Sequence, residues 1–106
     1  MSTYRLDRLL APRSIALVGA SLRENSVGRK ILRNLKTAGF AGSIQLVNPN
    51  HSEIEGVSAV SNVAELSRVP DLLIIAVPPA AILKVVSTAA AVGCPAAIVI
   101  TSGLGQ

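Results

Sequence analysis

The sequence is poor in aromatic residues: Tyr4 and Phe40 are the only two, and there is no tryptophan. Half of the 106 residues are apolar, so the core must consist of Val, Ile, Leu and Ala side chains. This composition is typical of a parallel sheet that is buried on both faces. The length suffices for one domain with a modest core. Because the sequence ends just after the last predicted strand, we expect residues 1–106 to form one domain of a longer protein.

The chain also has only one cysteine, Cys94, and one histidine, His51. Cys94 cannot form a disulfide within the chain, and this pair is too small a donor set for a metal site. We interpret Cys94 as a structural thiol and His51 as a solvated loop residue. The acidic residues are scattered singly, so there is no carboxylate pair for acid–base catalysis. We predict no catalytic residue and no metal ligand.

Long apolar runs are missing as well. None reaches the roughly 20 residues of a membrane-spanning helix, and the N-terminal residues form no apolar signal segment. We therefore expect a cytoplasmic protein with no membrane partner. The basic residues are not interleaved with aromatic residues, which argues against nucleic acid as a partner.

Positive charge is concentrated near the N-terminus. Residues 1–36 carry a net charge of +6, whereas residues 37–106 carry a net charge of −2. This asymmetry indicates an anionic partner near the first part of the chain, and a solvated helix face is the alternative interpretation.

Short apolar segments alternate with helical patterns along the chain. Strands are predicted at 15–18, 44–47, 72–77 and 96–100, and helices at 4–10, 27–38 and 80–92. Residues 48–62 are predicted as a loop with a brief extended piece at 57–60, followed by a helical turn at 63–66. The pattern has no hairpin signal and predicts an α/β fold, a Rossmann-like doubly wound parallel sheet with strand order near 3-2-1-4. The helix at 80–92 is apolar nearly all round, so we expect it to be well packed.

In such a sheet, ligands bind at the carboxyl ends of the strands. Four segments would meet there: residues 19–28, 47–50, 77–79 and 101–105. Gly19 permits a tight turn, Ala20 keeps the approach open, and Ser21 can donate a hydrogen bond to a phosphate. Asn25 or Ser26 can cap the following helix, whose first N–H groups would bind an anion. The residues of this helix start are Ser26, Val27 and Gly28, with Arg23, Arg29 and Lys30 as nearby cations. The alternative is that Gly19 and Gly28 serve packing alone.

The ligand of this loop is not the usual dinucleotide. An NAD site would have the pattern G-x-G-x-x-G after the first strand and an acid at the end of the second strand. The sequence has Gly19 followed by Ala20 and Ser21, and its second strand ends in Val47-Asn48-Pro49-Asn50. A basic residue for NADP is missing between Lys36 and Arg68, although NADP or another nucleotide remains an alternative.

Five motifs in order resemble one family. They are VGAS at 18–21, SVG at 26–28 opening a helix, VNPN at 47–50, an apolar strand that begins after Asp71 and ends in VPP at 77–79, and TSG at 101–103. This set is similar to the coenzyme A-binding domain of NDP-forming acyl-CoA synthetases, to which the succinyl-CoA synthetase α subunit is related. The last motif departs from the family pattern, since Leu104 stands where the family has phenylalanine followed by an acid.

The resemblance implies how coenzyme A or acyl-CoA would lie. Its phosphates would lie at Ser21 and at the helix start formed by Ser26, Val27 and Gly28, with help from basic residues such as Arg23 and Lys30. The adenosine would lie near Val47, Asn48, Pro49 and Asn50. An apolar wall would be formed by Val77, Pro78 and Pro79, and Ser102 and Gly103 would lie near the thiol arm.

The resemblance leaves two roles open. The domain can belong to an acyl-CoA synthetase, with ligase and ATP-grasp domains as downstream partners. It can instead be a non-catalytic regulatory module of a GNAT-type protein lysine acetyltransferase. In either case this segment alone is expected to bind its ligand without turning it over.

Overall fold

The computed structural model describes residues 12–19 and 26–100. In this part of the chain the strands are β1 (Ser14–Val18), β2 (Ser43–Val47), β3 (Glu53–Ile54), β4 (Val57–Val60), β5 (Leu72–Ile75) and β6 (Ala97–Val99). The helices are α1 (Val27–Thr37) and α2 (Pro79–Ala91), and a 3₁₀ turn spans Val63–Glu65. The helix predicted at residues 4–10 lies outside the described residues.

The sheet has the order β3-β4-β2-β1-β5-β6. The central strand β1 is buried along its whole length and pairs in parallel with β2 and β5. Ile15 is opposite Ile44 on one side and Leu72 on the other. This arrangement confirms the predicted α/β class and the Rossmann-like, mostly parallel sheet.

The predicted strand order is wrong in one respect. The third predicted strand, residues 72–77, was expected to lie beyond β2, but β5 pairs with β1 instead. The place beside β2 is taken by β4, the extended piece that was predicted as part of a loop. Its Ala59 and Val60 pair with Leu46 and Val47, which is enough to extend the sheet on that side. Numbered along the chain, the five parallel strands β1, β2, β4, β5 and β6 have the order 3-2-1-4-5.

The prediction that the fold has no hairpin is also wrong. β3 and β4 form an antiparallel pair in which Ile54 is opposite Val57. The turn between them consists of Glu55 and Gly56, with φ of 51° and 81°. Positive φ at both central residues is the requirement of a type I′ hairpin turn. The turn escaped prediction because such turns usually have Asn, Asp or Gly at the position that Glu55 occupies.

The two helices cover opposite faces of the sheet. On one face Leu32 of α1 packs with Leu17 and Leu46, and on the other Ala89 of α2 lies in a cluster with Val18 and Val47. Successive residues of β1 contribute to opposite clusters, as the two-residue period of a strand requires. The sheet is therefore doubly wound, and the carboxyl ends of its parallel strands lie at one edge.

Helix α2 is less closely packed than its composition predicted. Ala89 is its only buried residue, whereas Leu83 is 76% exposed and Val86 is also exposed. Both Ile98 and Val99 of the neighbouring strand β6 are exposed too. Although α2 has apolar residues on all sides, only the side with Ala89 packs against the sheet. Within the described residues, no helix combines the length and the apolar character needed to cross a membrane.

Candidate functional site at the carboxyl edge of the sheet

Three strand ends meet at Gly19. Its N–H points to the carbonyl oxygen of Val47 at 3.5 Å, and the N–H of Ala76 donates to Val18 O at 2.8 Å. Gly19 has φ of 110°, and a Cβ atom there would lie 2.1 Å from Ala76 O. The chain after β5 therefore passes directly against the turn that follows β1. The structure thus brings Gly19 and Val47, two of the predicted site residues, together with the end of β5.

The start of α1 carries a capped, positively charged helix N-terminus. Ser26 is the N-cap, and its Oγ accepts a hydrogen bond from Arg29 N at 3.1 Å. The first turn contains no acid. Gly28 is buried, Val27 is half-buried and Lys30 is exposed. Helix-start N–H groups lack acceptors within the helix and carry part of the positive end of its dipole, so they suit an anion.

A cavity of about 350 Å³ opens beside the end of β2. Asn48 shapes its rim, because Asn48 N donates to Val60 O at 2.8 Å while Asn48 Oδ1 accepts from Asn50 N at 2.6 Å. Ala59 N donates to Ser52 O at 2.8 Å and so ties the loop to β4. The cavity is lined by Asn48, Pro49, Asn50, His51, Ser52, Ala59 and Ser61. Amide, hydroxyl and backbone groups of this kind suit a nucleoside.

The contribution of the hairpin to this cavity was missing from the prediction. Ser52, Ala59 and Ser61 line it only because β4 pairs with β2. His51 is exposed, as predicted for a loop residue, and it also lines the cavity. Ser52 and Ser61 were predicted as loop residues and Ala59 as part of an extended piece without a partner strand, so the sequence did not indicate that they line one cavity.

The segment after β5 forms an apolar border. Val77 is half-buried against the core cluster on the α2 face, and Pro78 precedes the helix with φ of −58° and ψ of 151°. Pro79 is the first residue of α2 and is exposed. A proline suits this first position because its missing N–H would have no partner within the helix. The helix begins at Pro79, one residue before its predicted start, whereas the strand ends at Ile75 and not at the predicted residue 77.

Five predicted site residues lie outside the described residues, in segments 20–25 and 101–106. They are Ala20, Ser21, Arg23, Ser102 and Gly103. Their predicted roles therefore stay predictions.

An ion-pair cluster joins the hairpin to α1. Glu55 Oε2 accepts from Arg29 Nε at 2.8 Å and from Arg33 Nε at 2.9 Å. The backbone oxygen of Glu55 accepts from Lys36 Nζ at 2.8 Å. The hydrogen bond from Arg29, followed by that from Arg33, lowers the pKa of Glu55 below its ordinary value. The spacing of Arg29, Arg33 and Lys36 predicts that they share one face of a helix. The sequence did not indicate that Glu55 is their partner, because the hairpin was not predicted.

Cys94 lies apart from these groups, at the turn between α2 and β6. Its Sγ donates to Ala96 O at 3.2 Å and lies 3.6 Å from Pro70 O. Burial raises the pKa of the thiol. A thiol held in this way is poorly reactive, which agrees with its interpretation as a structural residue.

Comparison with known families gives one match over most of the chain. The family described as "CoA binding domain" matches residues 13–105. Among curated proteins, a trans-feruloyl-CoA synthase from an unidentified prokaryote is 35% identical over 105 residues, which is 99% of this chain and 15% of that protein. An ADP-forming acetate–CoA ligase of Methanocaldococcus jannaschii is 35% identical over 97% of this chain and 14% of its own length.

A solved structure agrees in fold and in sequence. The dinucleotide-forming acetyl-coenzyme A synthetase 1 of Candidatus Korarchaeum cryptofilum, in complex with phosphate and ADP, superposes with a TM-score of 0.88 at 37% identity. The match covers 93% of this chain and 21% of that chain. The present chain therefore spans only about a seventh to a fifth of the length of these relatives.

Proposed function

Because this chain belongs to the CoA-binding domain family and is homologous to NDP-forming acyl-CoA synthetases, we propose that it binds coenzyme A or an acyl-CoA across the carboxyl edge of its sheet. The observation that carries the proposal is the placement of the α1 N-terminus, the cavity after β2 and the apolar segment after β5 around the end of β1. Coenzyme A needs these three environments in that combination: an anion site, a nucleoside pocket and an apolar path.

The pyrophosphate is assigned to the start of α1. The N–H groups at Val27 and Gly28 offer hydrogen bonds, and the buried Gly28 leaves no side chain in the way. Lys30 is exposed one turn along and adds a mobile positive charge. Ser21 and Arg23, from the loop before the helix, are proposed as further phosphate ligands.

The adenosine is assigned to the cavity after β2. Asn48 and Asn50 supply amide groups at its rim, and Pro49 supplies an apolar surface for a ring. An acid that would pair with the ribose hydroxyls of NAD is missing from this strand end, where Val47 is followed by Asn48. The donor set therefore favours coenzyme A over NAD.

The pantetheine arm is assigned to the segment after β5. Val77, Pro78 and Pro79 provide apolar surface, which suits the methylene groups of this arm. Ser102 and Gly103 are proposed to lie near the thiol.

The reaction of the whole protein follows from its relatives. Two of them are a synthase and an ADP-forming ligase of CoA thioesters, so we propose that this domain serves an acyl-CoA synthetase that couples thioester chemistry to a nucleoside di- and triphosphate. Ligase and ATP-grasp domains would be its partners. The segment supplies the CoA site, and the reacting groups would come from those partners.

Calorimetric titration of the purified chain tests the binding. We expect binding of coenzyme A and of 3′-phospho-ADP, and at least tenfold weaker binding of NAD and NADP. Tight NAD binding without a response to coenzyme A would overturn the proposal. A matched pair of variants, Asn50→Ala in the cavity and Asn62→Ala beyond it, checks the location, since only the former should weaken 3′-phospho-ADP binding.

A further inference from the structure

Glu55 has a backbone conformation that its residue type disfavours. It is the only residue other than glycine with positive φ among those the structure describes, at 51°. Asn, Asp or Gly are preferred at this place of a type I′ turn, because a longer side chain gains nothing locally from the left-handed conformation. A residue held in a costly conformation indicates that its side chain has a role elsewhere.

The role is visible in the contacts of the carboxylate. One oxygen, Oε2, accepts from both Arg29 Nε and Arg33 Nε, at 2.8 and 2.9 Å. The side chain of Glu55 is 20% exposed and that of Arg29 is 17% exposed, so water screens this pair less than a fully exposed one. Lys36 fixes the backbone of the same residue through its carbonyl oxygen. The hairpin turn is thus bonded to residues from three successive turns on one face of α1.

The two elements joined in this way, the β3–β4 hairpin and helix α1, border the proposed ligand site. Helix α1 carries the N-terminus assigned to the phosphates. The hairpin carries the cavity assigned to the adenosine, because Ser52 is tied to Ala59 and Asn48 to Val60 across it. The cluster of Glu55 with Arg29, Arg33 and Lys36 therefore connects the two elements that carry the two subsites.

Resting on the proposed function, we infer that Glu55 is a positioning residue for coenzyme A, which fixes the adenosine cavity at the spacing that the phosphate site requires. It does not touch the ligand. Its effect should be strongest on ligands that fill both subsites at once. Both coenzyme A and 3′-phospho-ADP do so.

A rival explanation is that the apolar core alone holds the hairpin. Ile54 is fully buried beside Leu32, and Val57 packs against the same cluster. If that contact suffices, loss of the Glu55 carboxylate leaves ligand affinity unchanged. A second rival is that Glu55 only neutralises the two arginines, in which case its loss should strengthen the binding of any anion.

Two variants of Glu55 separate these possibilities. Glu55→Gln keeps the side-chain length and removes the charge. Glu55→Gly removes the side chain, and the relief of the positive φ should offset the stability lost with the two ion pairs. Glu53→Gln is the matched control, since Glu53 is exposed on the same hairpin and has no ion pair with a residue in the described ranges.

We expect at least fivefold weaker binding of coenzyme A and of 3′-phospho-ADP by both Glu55 variants, with wild-type affinity for Glu53→Gln. The melting temperature of Glu55→Gly should stay within about 2 °C of wild type. Amide exchange at Ala59 should become faster in the Glu55 variants, while exchange in β1 and β5 stays unchanged. This local change distinguishes a displaced hairpin from a destabilised domain.

Unchanged or tighter ligand binding by the Glu55 variants would overturn the inference, and so would faster exchange throughout the sheet. Failure of the unaltered chain to bind coenzyme A would overturn the proposed function, and the inference with it. A chain that binds coenzyme A equally well with and without the Glu55 carboxylate would overturn the inference alone.

Discussion

The turn after β1 and the segment after β5 touch through Gly19 and Ala76: a single added carbon at Gly19 would lie 2.1 Å from the carbonyl oxygen of Ala76. That distance is far inside the contact limit, and the obstructing atom belongs to the backbone. Gly19 also has φ of 110°, which side-chain-bearing residues rarely adopt. The two strand ends can therefore approach each other only while residue 19 is glycine.

Replacement of Gly19 by alanine should accordingly destabilise the fold by roughly 3 kcal/mol or more, since φ strain and a backbone displacement add together. Gly56→Ala is the control, because Gly56 has φ of 81° but no atom within 4 Å of the added carbon. This control should lose only about 1–2 kcal/mol. Urea unfolding of both variants measures the difference. Equal losses would show that the contact with Ala76 is relaxed in solution.

The N-cap of α1 can be separated from its proposed role in phosphate binding. Ser26→Ala removes the hydrogen bond to Arg29 N and should cost about 1 kcal/mol of stability. Ser26→Asp keeps a capping oxygen and should preserve stability, but its negative charge faces the proposed phosphate position. We expect Ser26→Asp to bind coenzyme A at least tenfold more weakly at an unchanged melting temperature. Wild-type affinity in this variant would remove the helix start from the site.

The ion pairs of Glu55 should make stability depend on pH in one direction. Hydrogen bonds from Arg29 and Arg33 lower the folded-state pKa of Glu55 below the ordinary 4.5, so the unfolded chain takes up this proton first as the pH falls. The stabilisation is complete above the ordinary carboxyl pKa and is lost as the pH falls through the lowered folded value. Wild type should thus melt above Glu55→Gln at pH 7, and the gap should close in acid. A gap that persists at pH 2 would contradict the assignment.

Cys94 should react slowly with alkylating reagents in the folded protein. Burial raises the pKa of its thiol above the ordinary 9.0, so less thiolate is present at neutral pH than in a free cysteine. Alkylation by iodoacetamide at pH 7.5, followed by mass spectrometry, should be at least tenfold slower than that of glutathione. Guanidinium should restore the ordinary rate. A folded-state rate equal to that of glutathione would show that the thiol is accessible and unperturbed.

Much of the fold could be predicted from the sequence because the apolar segments have the length and spacing of strands and helices. β1 and β2 were predicted to within one residue at each end, and α1 was predicted with its cap at Ser26 as one of two candidates. β5 ends at Ile75 rather than at residue 77, because the chain turns at Ala76 to pass over Gly19. That turn depends on a tertiary contact between Ala76 and Gly19, which the local sequence pattern does not indicate.

The missed features share a physical cause, which is that each depends on a partner distant in sequence. β4 is a strand because Ala59 and Val60 find the free edge of β2. The carboxylate of Glu55 meets Arg29 and Arg33 of α1, which lie 26 and 22 residues away in sequence. Likewise, the apolar character of α2 gives no indication of which side meets the sheet. For the site, the sequence located the convergent strand ends, whereas the hairpin wall of the cavity required the three-dimensional pairing.

The two edges of the sheet differ in how they meet water. The β3 edge is two residues long and displays the charge of Glu53, and a short, charged edge resists addition of another strand. At the opposite edge, β6 exposes Ile98 and Val99, each 41% accessible, without a charge within the strand. Among the residues that the structure describes, no strand pairs with the outer side of β6, so this side can accept a strand from a second molecule. We expect a lysine in place of Ile98 to raise the concentration at which this chain stays monomeric.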